Sequence, residues 1–80
     1  MKNLTERMDS AKTVLHELNR QPLFRTELEQ RTTRKAGTHA TFEGIFHYLV
    51  EGGYIKKSEQ NHRAKYIITE KGTKLLGAIQ

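Results

Sequence analysis

The sequence predicts a mainly helical α+β domain carrying a small β-hairpin, with its elements in the order α-β-α-α-β-β-α. Three observations predict it. Apolar residues recur at helical spacing over 4–18, 42–49 and 75–79. Two runs rich in aromatic and β-branched residues, Tyr54-Ile55-Lys56-Lys57 and Lys65-Tyr66-Ile67-Ile68, flank a polar stretch. A chain of 80 residues has room for one domain, 1–80, and one modest core.

The elements follow in order. Leu4, Met8, Ala11, Val14, Leu15 and Leu18 form one face of a first helix, with Asn3 or Thr5 as its cap. Pro22 ends it, because the residue before a proline avoids the helical region. Leu23-Phe24 is a short apolar pair suited to a third strand beside the hairpin. Thr26-Glu27-Leu28-Glu29 reads as a capping box that opens a second helix running to Thr32, with Leu28 as its core anchor. The segment from Thr32 to Gly37 reads as a polar turn. Thr38 caps a third helix, about 38–52, whose apolar stripe is Phe42, Ile45, Phe46 and Leu49. Gly52-Gly53 stops it with a left-handed cap. The hairpin covers about 54–68, and Thr69-Glu70-Lys71-Gly72 starts a last helix with Leu75, Leu76 and Ile79 on one side.

Charge is divided unevenly along this layout. Residues 1–30 sum to zero, while residues 31–80 carry nine basic and four acidic side chains, the whole excess of +5. That asymmetry points to a polyanion contact in the second part. The absence of cysteine excludes disulfide scaffolds and thiolate zinc sites. No apolar run approaches a membrane span, and the N-terminal residues lack the apolar core of a signal peptide, so a cytoplasmic protein is expected.

The element order is that of a winged helix-turn-helix, in which the second of two short helices crosses a DNA major groove and the following hairpin forms the wing. The segments from Pro22 to Leu28, from Phe42 to Ile55 and from Lys65 to Gly72 are similar, in order and spacing, to the small winged-helix regulators of the MarR and PadR type, particularly their compact archaeal relatives. The likeness spans 22–76 and implies a transcriptional regulator that binds double-stranded DNA. The larger relatives continue into a long dimerising helix that has no counterpart up to Gln80, so any homodimer is expected to use apolar surface on the first and last helices.

Helical geometry assigns candidate contacts without the resemblance. At about 100° per residue, Ile45, Phe46 and Leu49 fall within about 60° of Phe42, and Ala40, Glu43, Gly44, His47 and Glu51 point away. Thr38, Ala40, Thr41, Glu43, Gly44 and His47 therefore form the expected groove-facing row. Small residues allow close approach, His47 can donate to guanine, and Glu43 can accept from a cytosine amine. Glu43 and Glu51 repel phosphates, so the electrostatic grip falls to Arg31, Arg34 and Lys35 in the turn and to Lys56, Lys57, His62, Arg63 and Lys65 on the hairpin. Tyr48 lies on the flank of the row, where it can reach the DNA backbone, pack in the core or meet a second copy.

No nucleophile motif, P-loop or dinucleotide fingerprint occurs, and neither catalysis, a cofactor nor a small-molecule substrate is expected. His39 and His47 stand about 12 Å apart on one helix, too far to share a metal ion, and no metal site is expected. The alternative from another class is a protein-interaction module within a larger assembly, without DNA binding.

Overall fold

The computed structural model describes residues 4–35, 39–61 and 63–79, with side chains over 8–34, 41–61 and 63–79. Four helices and one antiparallel hairpin run in the order α1 (Leu4–Arg20), α2 (Arg25–Lys35), α3 (His39–Glu51), β1 (Ile55–Lys57), β2 (Tyr66–Ile68) and α4 (Glu70–Ile79). The mainly helical α+β class read from the sequence holds.

The core forms where the predicted stripes converge. Val14 and Leu15 of α1, Leu28 of α2, Phe42 and Leu49 of α3 and Ile55 of β1 are almost wholly removed from water, with Leu18, Leu23, Ile45, Phe46 and Leu76 close behind. Burial of each such side chain contributes about 1.5–3 kcal/mol. Phe42 and Phe46 stack at 5.3 Å, and Phe46 meets Tyr66 edge-on at 4.9 Å, so α3 and the hairpin are joined by aromatic contact.

The strands pair with Ile55 opposite Ile68, Lys56 opposite Ile67 and Lys57 opposite Tyr66. The Leu23-Phe24 segment supplies the expected third strand in miniature. Leu23 and Tyr66 exchange both backbone hydrogen bonds, at 3.2 and 2.7 Å, as one isolated bridge. This links the start of α2 to the hairpin and relieves the weakness of a two-stranded ribbon.

Two helix ends behave as the sequence predicts. Gly53 has φ +78°, and the Tyr54 and Gly53 N–H groups donate to the Leu49 and Val50 carbonyls at 2.9 and 3.1 Å, the paired bonds of a Schellman stop. Thr69 caps α4, its Oγ1 accepting from the Gly72 N–H at 3.1 Å. That hydroxyl also lies 2.7 Å from the Gly53 carbonyl oxygen and 3.0 Å from that of Tyr54, tying α4 to the chain leaving α3.

The start and end of α2 depart from expectation. The helix begins at Arg25, and Glu27, not Glu29, closes the cap: its Oε1 accepts from the Phe24 N–H at 3.0 Å. Thr26 lies inside the first turn. The bridge from Leu23 to Tyr66 holds the chain extended up to Leu23, so the helix starts directly after Phe24. At the other end α2 continues through Thr32, Thr33, Arg34 and Lys35, which the sequence reading assigns to a turn. Thr32 is fully buried, and Thr33 Oγ1 donates to the Glu29 carbonyl at 2.8 Å, so packing overrides the weak helix preference of threonine.

Candidate nucleic-acid interface

The outward row of α3 is open. Gly44, His47 and Glu51 are exposed, and a Cβ built on Gly44 would meet no atom within 4 Å. His47 Nε2 lies 3.5 Å from Glu51 Oε1, a surface pair one helical turn apart. Glu43 is half-exposed and is paired with Arg25 Nη2 across the α2–α3 junction. The acidic residue of the expected row thus has a cation on it.

Thr41 corrects the expected row. It is 7% exposed and offers no surface to a groove. It sits in the first turn of α3, whereas Tyr48, on the same flank two turns on, is 54% exposed. Thr38 and His62 lie outside the described residues, as does the Ala40 side chain.

Arg31, Arg34 and Lys35 belong to α2 and not to a turn. Arg31 is committed inward, its Nη1 donating at 2.9 Å to Oε1 of Glu17, a carboxylate almost wholly buried on α1. Arg20 approaches the other oxygen of Glu17 at 3.6 Å. Arg31 is therefore an interhelical brace. Arg34 remains exposed.

The hairpin keeps its cations in solvent. Lys56, Lys57, Arg63 and Lys65 are all exposed. The loop has an internal fold: Asn61 Oδ1 accepts from the Arg63 N–H at 2.8 Å, and the Asn61 carbonyl from the Ala64 N–H at 3.3 Å. Arg63 is thereby placed by its own loop. Lys65 Nζ lies 5.3 Å from the centre of the exposed Phe24 ring.

An open cleft of about 350 Å³ joins these elements. Phe24, Arg25 and Thr26 of the α2 start line one wall, and Lys57, Arg63 and Tyr66 of the hairpin line the other. Sequence reasoning passed over Arg25, the residue that connects this cleft to α3. Its guanidinium carbon lies 5.2 Å from the Phe46 ring centre and 5.8 Å from that of Phe42. Compared with protein-family models, with curated proteins and with solved structures, the chain matches none.

A second surface lies at the far end of α3. Tyr48 and Tyr54 stack at 5.7 Å with an interplanar angle of 25°, and Lys71 Nζ lies 4.7 Å from the Tyr54 ring centre. The Tyr48 phenol is pushed above its ordinary value of 10.0, chiefly by hydrogen bonding to Tyr54 and by charge repulsion between the two phenolates, against a smaller opposing pull from Lys71. Val50 is exposed nearby in sequence. Among the described residues no group of three His, Asp or Glu side chains is placed to hold a metal ion, and no helix is long and apolar enough to cross a membrane.

Proposed function

We propose that this chain is a winged helix-turn-helix protein that binds double-stranded DNA sequence-specifically and acts as a transcriptional regulator. In this reading α3 enters the major groove, and the hairpin, as the wing, grips the adjacent backbone or minor groove. The observation that carries it is the adjacency of the outward row of α3 to the hairpin cations through Arg25, which pairs with Glu43 and lines one cleft with Lys57 and Arg63. The bridge from Leu23 to Tyr66 supports the reading, since it supplies the short third strand of such a sheet. Two copies on half-sites about one helical turn apart would read a palindrome.

The test is a mobility-shift or anisotropy titration with a random-sequence duplex between about 50 and 200 mM salt. The expected outcome is binding that weakens steeply as salt rises, with log K linear in log salt. Absence of binding at the lower salt would remove the proposal.

A second reading has one observation in its favour. The stack of the exposed Tyr48 on the half-buried Tyr54 is the kind of aromatic surface that anchors protein partners. On that reading the chain is an interaction module within a larger assembly, and duplex DNA binds weakly at either salt concentration.

A further inference from the structure

The geometry points to Arg25 as a shared cation that leaves Glu43 for a DNA backbone phosphate when duplex enters the cleft between the α2 start and the hairpin. The inference rests on the proposed DNA-binding function and adds a residue and a competition to it.

Three facts lead there. Arg25, Lys57 and Arg63 border one open cleft, so a common space is bounded by three cationic side chains. Neither Lys57 nor Arg63 makes an ion pair with another described residue, and the anions that meet Arg25 are Glu43 and, more distantly at 3.9 Å, Glu29. A phosphate is the group that can take up all three cations at once, because its oxygens accept from several donors and its charge offsets their repulsion.

Arg25 is built for the exchange. Its side chain is 40% exposed, and the Phe46 ring beside its guanidinium supports the planar head while leaving N–H groups free to turn toward a new acceptor. Glu43 is 43% exposed at its side chain, so the pair is a partly solvated one, and its separation is cheap compared with that of a buried pair. On release, the Glu43 carboxylate becomes available on the outward row of α3 as an acceptor for a cytosine amine. Phosphate capture and base reading are thus linked through one guanidinium. Glu43 occupies Arg25 in the free protein and weakens binding to sequences that give the carboxylate no partner.

The experiment is a salt titration of a mixed-sequence duplex with the wild-type chain, Arg25→Met and Glu43→Gln. Methionine keeps an apolar stem over Phe46, and Glu43→Gln retains Arg25 itself, so a folding defect in one variant leaves the other informative. Arg25→Met is expected to reduce the magnitude of the log K against log salt slope by about 0.9, the loss of one phosphate contact. Glu43→Gln is expected to tighten binding to the mixed duplex about twofold to fivefold, since Arg25 no longer has a competitor. If the wild type binds and the Arg25→Met slope is unchanged, Arg25 stays on Glu43 in the complex and the inference fails while the DNA-binding reading stands. Equal or weaker binding by Glu43→Gln overturns the competition in the same way. If the wild type does not bind duplex at all, both fall.

Discussion

Arg31 and Glu17 form a 2.9 Å hydrogen bond between α2 and α1, with the Glu17 side chain 3% exposed and the Arg31 side chain 38% exposed. A buried carboxylate without its cation is costly, so the first prediction concerns this brace. Arg31→Met is expected to lower unfolding stability by about 2 kcal/mol, softened by Arg20, and to shift the urea midpoint without changing its slope. Glu17→Gln in the same chain is expected to recover part of the loss. An unchanged midpoint would return Arg31 to the set of free surface cations.

Arg63 makes the opposite case. It is exposed on the hairpin loop, so Arg63→Ala is expected to leave the unfolding midpoint within about 0.5 kcal/mol while reducing the salt slope of duplex binding by about one contact. Gly44→Ala sharpens the separation. Its Cβ meets nothing in the free protein, so it is expected to raise stability by up to about 1 kcal/mol through helix preference and to weaken DNA binding by holding α3 off the base edges. Selection from a random duplex pool is expected to show that His47→Ala changes base preference more than general affinity. Tight, unaltered selection by both the Gly44 and His47 variants would exclude the outward row of α3 as the reading surface.

Ser10 Oγ and Thr32 Oγ1 are fully buried and have no hydrogen-bond partner among the described residues. Thr32→Val keeps the shape and removes the orphaned hydroxyl. It is expected to stabilise the fold by about 1 kcal/mol, read by thermal or urea unfolding. A loss of stability would reveal a partner for the hydroxyl.

Gly72 and Gly77 share a helix and are expected to respond with opposite sign to the same change. A Cβ on Gly72 would stand 2.1 Å from the Tyr54 carbonyl oxygen and 2.8 Å from Ile68 Cγ1, while one on Gly77 meets nothing within 4 Å. Gly72→Ala is expected to destabilise by about 2 kcal/mol or more as α4 is pushed off the hairpin base. Gly77→Ala is expected to stabilise by up to about 1 kcal/mol. Matching effects would mean that helix preference, not close packing, governs position 72.

Periodicity was enough to read α1, α3 and the stop at Gly53, because each depends on neighbours within a turn or two. The start of α2 is ambiguous in the sequence because both Thr26-x-x-Glu29 and Phe24-x-x-Glu27 place a glutamate three residues on. Only the distant Tyr66, pairing with Leu23, decides between them. The end of α2 is not legible locally because Thr32 and Thr33 favour turns, and the core that buries Thr32 is assembled from other segments. Of the candidate contacts, the hairpin lysines and Arg63 were legible as exposed charge. The inward commitment of Arg31 to Glu17 was not, nor was the reach of Arg25 to Glu43, since each joins residues 14 or 18 positions apart on different helices.

The fastening of Thr69 and Gly72 to the backbone of Gly53 and Tyr54 moors the base of the hairpin. A second mooring, the bridge from Leu23 to Tyr66, ties the other end of its strands to the start of α2. Held at both points, the hairpin keeps a constant angle to α3, so on the proposed DNA-binding reading wing and helix would meet a duplex in one fixed relation.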